Sequence, residues 1–538
     1  KDFCSILHDL EFKGEIVKVK NDQYACPKKV GLLIGILECK SQGFGFVIPA
    51  KERVNDIYVN EESMGEAMHG DLVAVRLPEK KTSKRKGTKW DSGKIVKILN
   101  HANDTIIGLF KKKQNLNYVV PDNSALFKDV YVSDIDANGA DNDDKVIVKI
   151  VQWPSRHLNP HGAVTKILGK EGGPGVDIDS VLYQFQLPHI FNDDIKKELK
   201  NISEDIPEIE IKNRVDLRQK TVITIDPDDA KDFDDAVSVE KSGKNWLFGV
   251  HIADVSYYVK PGSAIDKEAA LRGNSIYFPG KVIPMLPEKL SNGICSLKEG
   301  EDRLTKSVFL TFDSYGNWLG SDIRNTVIRV KKRFNYNEVT KLLDEFENNT
   351  DTHLSKEIKD LLIDMKALRE ILFKRRMKRG SIELDLPEVN LKLDNEGNIV
   401  DVIKSVKDLS HGIIEEFMLV ANEAVANFTR EKKLPCLYRS HNEPDESDMH
   451  DFADFIKGLE RKKLDPFDRA ELQRVLDDTA GKPEAYAVNL MLLKSFKRAE
   501  YSINEYEHYA LAIENYTHFT SPIRRYPDLI VHRSLDKH

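Results

Sequence analysis

The feature that most constrains this sequence is an acidic run enclosed by two apolar segments. Six aspartates fall within the ten positions from Asp226 to Asp235, directly after TVITI and directly before AVSVE. Short apolar runs rich in β-branched residues predict buried strands. The carboxylates therefore lie in a loop between two core strands. A solvated acidic turn remains the alternative, which the flanking strands disfavour.

Clustered carboxylates raise one another's pKa unless cations neutralise them. Mg²⁺ prefers oxygen ligands, and it commonly takes one or two carboxylates together with water and substrate phosphate. An EF-hand loop needs an acid at position 5 and Gly at position 6, but counting from Asp226 or Asp232 places Ala230 or Ala236 at position 5. The run therefore indicates a magnesium site of another kind.

Two other phosphoester hydrolase patterns are disfavoured. The dipeptide His450-Asp451 lies at the polar start of a predicted helix without a histidine cluster, so we interpret it as a surface feature. A DEDD-type DNA exonuclease would begin with Asp-x-Glu, whereas this chain has Asp226-Pro227-Asp228.

A second motif, YTHFTSPIRRYPD, spans residues 516–528. Ser521 followed by Pro522 predicts a helix N-terminus, and free N–H groups at such a terminus attract phosphate. Arg524 and Arg525 add planar donors that hold phosphate at two points. A helix that is merely stabilised by ion pairs is the alternative.

The N-terminal part is rich in short alternating strands. In residues 31–77, short strands alternate with turns at the spacing that is typical of a five-stranded barrel. Phe44 and Phe46 project to one face of a strand, close to Lys40, and could stack on unpaired bases; the alternative is that both are core residues. A second β-rich stretch runs from 93 to 152. Six basic residues within 79–89 form either a nucleic-acid patch or a solvated loop.

From about residue 219 strand-like runs precede long helical patterns, which predicts an α+β domain. Helices are expected over 354–377, 412–431 and 471–498.

Composition narrows the class of protein. The net charge is −7, so a nucleic-acid-binding protein of this kind must concentrate positive charge in a channel or patch. No apolar run approaches the roughly 20 residues of a membrane span. Five scattered cysteines without CxxC spacing argue against disulfides and zinc and favour a reducing cytoplasm.

Taken together, the motifs resemble one family. Thr224–Ala236 matches the pattern TIDxxxAxDxDDA, and further blocks match at HIADVSYYV, YFPGKVIPMLPEKLSNGICSL, RGSIELDLPE, IIEEFMLVAN and HFTSPIRRYPDL. The chain resembles the RNB (ribonuclease II/R) exoribonucleases, and within them the bacterial ribonuclease R branch.

The resemblance implies a multidomain fold in which N-terminal OB-fold cold-shock β-barrels precede an α+β RNB catalytic domain. The expected boundaries are a remnant of a helical domain at 1–28, cold-shock domains at 29–80 and 90–165, a connector at 166–218, and the RNB domain at 219–538. The C-terminal end of that domain and an S1 barrel are expected to be missing.

The resemblance also implies the site. Asp226, Asp232, Asp234 and Asp235 would be catalytic and hold Mg²⁺, with Mn²⁺ as the alternative. Arg524 would fix the scissile phosphate, with Arg525 beside it, and Tyr277 would stack on the 3′-terminal base. Glu415 and Glu416 fall where the family has acids near the last nucleotides, and Glu416 is the expected RNA contact. By the same resemblance, Leu391 replaces a second clamping aromatic, whereas Asp228 and Asp229 are not required by the family.

The implied function is hydrolytic 3′-to-5′ digestion of RNA, processive and yielding nucleoside 5′-monophosphates. The expected partner is the 3′ end of single-stranded RNA, bound by a cytoplasmic monomer with no membrane association. The alternative is a catalytically silent RNB-type RNA-binding regulator. Such relatives lose the aspartates, whereas this chain retains all four.

Overall fold

The computed structural model describes residues 3–19, 23–49, 55–78, 91–113, 116–155, 158–188, 190–348, 353–394, 396–405, 408–459 and 464–537. The basic segment 79–89 lies outside these residues. The chain divides into two compact units, 1–188 with 396–398, and 189–395 with 399–538. Among the described residues, no helix combines the length and the apolar character needed to cross a membrane.

The first unit begins with a small sheet and the first barrel-like domain. Its elements are α1 (Phe3–Phe12), β1 (Val17–Lys18), β2 (Tyr24–Ala25), β3 (Leu32–Cys39), β4 (Gly45–Pro49), β5 (Ile57–Val59), α2 (Glu61–Met64), β6 (Leu72–Arg76), β7 (Asp91–Ser92) and β8 (Lys94–Asn100). A six-stranded sheet has the order β7-β5-β4-β3-β6-β8. Its interior is filled by alternate residues such as Leu37, Val47 and Val73.

A closed barrel follows. It consists of β9 (Thr105–Lys113), β10 (Leu116–Pro121), β11 (Val130–Val132), β12 (Asp144–Gln152) and β13 (His161–Lys170), with α3 (Val176–Gln184) after it. The strand order around the barrel is β10-β11-β13-β12-β9. The expected start of this domain at residue 90 is wrong. Strand β8 pairs antiparallel with β6, with Val75 opposite Ile95, so its apolar side chains complete the first domain.

The second unit is built on a seven-stranded sheet. Its strands are β14 (Val215–Asp216), β15 (Ile223–Asp226), β16 (Asp235–Ser242), β17 (Asn245–Ala253), β20 (Asp302–Phe312), β21 (Trp318–Arg329) and β22 (Lys332–Asn335). They lie in the order β14-β21-β20-β17-β16-β15-β22. Strand β14 lies before residue 219, so the expected start of the catalytic domain is a few residues late.

Helices cover both faces of this sheet. The helices of the unit are α4 (Asp193–Lys200), α5 (Glu208–Lys212), α6 (Val255–Tyr258), α7 (Ala264–Arg272), α8 (Tyr336–Glu347), α9 (Lys356–Arg379), α10 (Leu409–Glu431), α11 (Glu446–Gly458), α12 (Arg469–Thr479), α13 (Ala485–Ser495) and α14 (Tyr526–Leu535). One face packs on α8, α9 and α10, and the other on α4, α7, α14 and the π-helical segment Lys289–Ile294. The fold class expected from the sequence is confirmed.

Three two-stranded sheets complete the unit: β18 (Ile276–Phe278) with β19 (Lys281–Ile283), β23 (Glu388–Leu393) with β24 (Ile399–Ser405), and β25 (Tyr438–Ser440) with β26 (Glu500–Ser502). Helices α11, α12 and α13 share a separate core. The single helix expected over 471–498 is wrong, because Gly481 adopts a φ of 73° and Pro483 follows it, which ends one helix before the next begins.

Candidate active site

The acidic loop joins two neighbouring strands, as its sequence predicts. Asp226 is the last residue of β15 and Asp235 is the first of β16. The strands pair antiparallel with Ile223 opposite Val237, and both of these apolar residues are fully buried. Both carboxylates consequently emerge at the same edge of the sheet. Asp228 and Asp229 in the intervening loop are exposed.

Asp234 is the most deeply buried acid of the loop, with 3% of its surface exposed. Its Oδ1 accepts a hydrogen bond from the backbone N–H of Ile523 at 2.9 Å. Its Oδ2 lies 3.6 Å from Nε of Arg524. Among the described residues, Oδ2 of Asp234 and Oδ2 of Asp226 are buried without any hydrogen-bond donor.

Burial dominates the electrostatics of these acids. It raises the pKa of Asp226, Asp234 and Asp235 above the ordinary carboxyl range. Repulsion from Asp235 and Asp232 raises the pKa of Asp226 further, while Arg524 opposes the shift at all three. Ionising all of these buried acids therefore requires positive charge beyond that of the neighbouring arginines, which an external cation would supply.

These residues fit a hydrated divalent cation. Two inward-facing carboxylate oxygens lack donors, and Mg²⁺ commonly takes only one or two protein carboxylates and completes its shell with water and phosphate oxygens. In the described part of the chain, no three His, Cys, Asp or Glu side chains converge closely enough to form a complete metal cage. The arrangement thus suits an ion whose ligands come partly from the protein and partly from water and the substrate.

Arg524 comes from a turn rather than from the helix that the Ser521-Pro522 pair predicts. Helix α14 begins at Tyr526, because Arg525 is extended, with φ −136° and ψ 119°, and bridges to Asn274. Backbone N–H groups in the turn point at aspartates: that of Ile523 to Asp234, and that of Ser521 to Asp528 at 2.8 Å. The expected phosphate site at a helix N-terminus is therefore wrong, although Arg524 itself is half exposed beside the acids.

Arg525 has a structural partner. Its Nη2 donates to Oδ1 of Asp528 at 2.7 Å, and Asp528 is completely buried. The two neighbouring arginines therefore differ. Among the described residues, the Arg524 side chain has only the long contact to Asp234 and a hydrogen bond to the Ser521 hydroxyl at 3.0 Å, which leaves it available for an external phosphate.

The acids and Arg524 line a cleft of about 620 Å³. Tyr277, on β18, lines the same cleft; it is 50% exposed, and its hydroxyl donates to Oδ2 of Asp232 at 2.8 Å. The alternative that Tyr277 is a packed core residue is therefore wrong. Leu391 is partly exposed on β23, but it does not line the cleft.

The expected RNA contact at Glu416 is contradicted. Glu416 is 3% exposed, and its Oε1 accepts hydrogen bonds from Nε and Nη2 of Arg376 at 2.8 and 2.7 Å. Its neighbour Glu415 is exposed and lines the cleft. On α10, adjacent residues point about 100° apart, so only one of the two acids faces the cleft while the other pairs with α9.

Several cleft residues were missed from the sequence. Tyr336 stacks on His411 with ring centroids 3.9 Å apart, and Nδ1 of His411 contacts Asp408 at 2.7 Å. His518 also lines the cleft and contacts the Tyr501 hydroxyl at 2.7 Å. Burial, aided by Arg525 and Arg439, lowers the pKa of His518 to about 2, so its ring is neutral. His518 lies inside the second motif, which could have singled it out.

The first unit carries the aromatic surface that its sequence predicts. Phe44 and Phe46 are partly exposed, while Gly45 and Val47 between and after them face the interior. Tyr58 of β5 joins them, with its ring centroid 5.6 Å from Phe44 and 5.8 Å from Phe46. The alternation in Ile57-Tyr58-Val59 could have revealed this third aromatic residue. The three rings form one outer surface of the domain.

Comparison with known proteins identifies the family. The RNB domain matches residues 214–538, more than half of the chain. A cold shock domain matches 118–192, and the ribonuclease B OB domain matches 35–98. The chain belongs to the RNB family of exoribonucleases and is an enzyme of that class.

Its relatives within the family are named ribonuclease R. The protein from Thermotoga maritima is 39% identical over 99% of this chain and 75% of its own length. That from Escherichia coli K12 is 35% identical over 98% of this chain and 64% of its own length. The structure of Mycoplasma genitalium RNase R in complex with ribose-methylated single-stranded RNA superposes with a TM-score of 0.87, at 28% identity, covering 94% of this chain and 79% of the other.

Proposed function

We propose that this chain is a hydrolytic 3′-to-5′ exoribonuclease that degrades single-stranded RNA processively to nucleoside 5′-monophosphates with Mg²⁺, or Mn²⁺ in its place. The observation that carries the proposal is the set of four aspartates beside Arg524 in one cleft. Two of their buried oxygens lack a donor among the described residues. That arrangement suits a phosphodiester bound between a cation and a guanidinium.

The aspartates and Arg524 have complementary tasks. Asp226, Asp232, Asp234 and Asp235 would hold the metal, which when bound supplies an acidified water and neutralises developing charge. Arg524, half exposed and 3.6 Å from Asp234, binds the scissile phosphate and stabilises the charge that grows on its oxygens. The Ile523 N–H fixes the rotamer of Asp234 at 2.9 Å, so the acid needs no reorganisation during the reaction.

Selection of an RNA 3′ end is proposed for the other cleft residues. Tyr277 offers a half-exposed ring for the terminal base, and Arg525 lines the cleft while paired to Asp528. Glu415, which lines the cleft, is proposed to make the RNA contact that was expected of Glu416. The Mycoplasma relative is described in complex with single-stranded RNA, which supports the same class of partner here.

Phe44 and Phe46, with Tyr58, are proposed to bind RNA by stacking on its bases. Stacking is tolerant of sequence because every base has a π-face, as a general RNA-degrading enzyme requires. We further propose a cytoplasmic monomer; all five cysteines are free thiols, as a reducing compartment requires.

The alternative is an RNB-type regulator that binds RNA without cutting it. Incubating the chain with end-labelled single-stranded RNA in Mg²⁺ and in EDTA distinguishes the two. The proposed enzyme releases mononucleotides only with Mg²⁺ and binds RNA in both conditions. Binding in both conditions with no product in Mg²⁺ or Mn²⁺ would establish the silent regulator.

A further inference from the structure

The segment that carries Asp232 and Asp234 has no regular structure of its own. Residues 231–234 belong to neither a strand nor a helix. The backbone carbonyl of Asp234 accepts from Ala253 N–H at 2.9 Å, which fixes one end of the segment. The Asp232 carboxylate accepts from Tyr277, a half-exposed side chain on a two-stranded hairpin. A buried group is needed to fix the backbone on both sides of Asp232.

Ser296 is that group. It is completely buried. Its hydroxyl donates to the carbonyl of Lys231 at 2.7 Å and accepts from the N–H of Phe233 at 3.1 Å. One hydroxyl therefore bridges the residues before and after Asp232. The Leu297 N–H donates to the Phe233 carbonyl at 3.0 Å, so the two segments are joined by three hydrogen bonds.

Ser296 is itself rigidly held. It follows the π-helical segment Lys289–Ile294, a backbone form that is rare and frequent at functional sites. Its carbonyl accepts from Nε of Arg303 at 2.7 Å, and Nη2 of Arg303 reaches the carbonyl of Gly293 at 3.2 Å. Its neighbours Cys295 and Leu297 are buried in the core.

We propose that Ser296 is a positioning residue that fixes Asp232 for metal binding and hydrolysis. The inference rests on the proposed function of Asp232. A hydroxyl suits the position because it donates and accepts at once. Alanine would remove the hydrogen bonds to the Lys231 carbonyl and from the Phe233 N–H, both of them partly buried, and the loop would be free to shift. Mutating a residue that orients a metal ligand through hydrogen bonds typically lowers metal affinity or activity by about 10- to 100-fold.

The first test compares Ser296→Ala with Ser291→Ala. Ser291 is a matched control because it is 2% exposed in the adjoining π-helical segment, and in the described part of the chain its hydroxyl contacts only the Pro287 carbonyl and Asn292. Ser296→Ala is expected to lower kcat about 10- to 100-fold, with RNA affinity in EDTA nearly unchanged. It should also weaken Mn²⁺ binding, measured from the electron paramagnetic resonance signal of free Mn²⁺. Ser291→Ala should match wild type in all three readouts.

A double-mutant cycle tests whether Ser296 acts through Asp232. Asp232→Asn and the double variant Asp232→Asn/Ser296→Ala should be equally slow, because residues that act as one unit are non-additive. Fully multiplicative losses would overturn the inference. If Ser296→Ala does not fold, Ser296→Cys replaces it, since a thiol is a much weaker donor and acceptor; a folded Ser296→Cys variant with wild-type kcat and Mn²⁺ affinity would also overturn it.

The outcomes separate this inference from the proposed function. A fully active Asp232→Asn variant would refute the metal assignment, and the inference with it. An inactive Asp232→Asn variant alongside a Ser296→Ala variant with normal kcat and Mn²⁺ affinity would refute only the role of Ser296.

Discussion

Asp234 is almost completely buried, and one of its carboxylate oxygens accepts no hydrogen bond from the described residues. A buried carboxylate without a full set of partners is costly unless a cation compensates it. Asp234→Asn preserves the shape and the acceptor for Ile523, but it removes the charge. Losing a metal contact should reduce the hydrolysis rate on the order of 10³-fold or more, with single-stranded RNA binding nearly intact.

Asp229→Asn is the control for that variant, because Asp229 lies in the same loop and is exposed. Single-turnover rates and filter binding measure the two effects. A near wild-type rate for Asp234→Asn would show that the metal assignment is wrong.

The raised pKa of Asp226 predicts a pH-dependent stability of the metal-free enzyme. Burial, followed by repulsion from Asp235, favours the protonated form. A group whose pKa is raised on folding contributes stability below its unfolded pKa of about 4, and that contribution is lost as the pH rises through the folded pKa. In EDTA, Asp226→Asn should therefore melt at a higher temperature than wild type, and the gap should widen from about pH 5 to about pH 8.

Differential scanning calorimetry measures this gap, with the exposed-site variant Asp228→Asn as control. Saturating Mg²⁺ should narrow it by stabilising only the wild type. A gap that shrinks with rising pH in EDTA would contradict the electrostatic account of the site.

Tyr277 should matter most when little RNA remains. A stacked base is worth about 1–3 kcal/mol, whereas a long RNA keeps many other contacts. Tyr277→Phe loses the hydroxyl that contacts Asp232 but keeps the ring, so it separates the two roles of Tyr277. Relative to Tyr277→Phe, Tyr277→Ala should digest long RNA at almost the same rate and release a longer final oligonucleotide. Val282→Ala is the control, since Val282 lies opposite Tyr277 in the same hairpin with equal exposure. Equal end-product lengths on a sequencing gel would rule out the stacking role.

At this scale the sequence correctly predicted that the acids lie in a loop between two core strands, because apolar runs rich in β-branched residues flank them. It failed at Glu416, because nothing in two adjacent glutamates shows which one faces Arg376. It also missed Tyr336 and His411, whose contact depends on two segments that are remote in sequence.

At the scale of elements, the strands β4 and β5 determine the proposed RNA-binding surface. Their alternation places Val47, Ile57 and Val59 inside and three aromatic rings outside. Changing both Phe44 and Phe46 to Ala should weaken binding by about 1–3 kcal/mol per lost stack without changing the released product. Tyr315→Ala, at a solvent-exposed aromatic on a turn, is the control.

Fluorescence anisotropy measures the binding, and circular dichroism reports the fold. If the double variant unfolds, the two rings stabilise the core of the domain and the stacking interpretation is wrong.

Element boundaries were predicted less well than element types. Periodicity identified α9 and α10, with ends that differ by up to three residues from those expected. It assigned β8 to the wrong domain, because the alternation of a strand does not indicate which other strand it pairs with. The Ser521-Pro522 pair reads as a helix start in isolation, yet the hydrogen bonds of Ile523 and Ser521 to Asp234 and Asp528 hold it in a turn.

At the scale of the whole molecule, two OB-type domains and an acidic cleft in a seven-stranded α+β domain form an enzyme of the RNB family. Ordered motif blocks predicted this architecture, because each block marks a site where several elements meet. The central claim is that the cleft accepts a free RNA 3′ end.

The most direct test follows mononucleotide release from one RNA labelled separately at its two ends, in Mg²⁺. The 3′ label should appear first, as a nucleoside 5′-monophosphate. A 3′-terminal phosphate or a run of 2′-deoxy residues at that end should block its release, while modification of the 5′ end should have no effect. Label released first from the 5′ end would contradict the account.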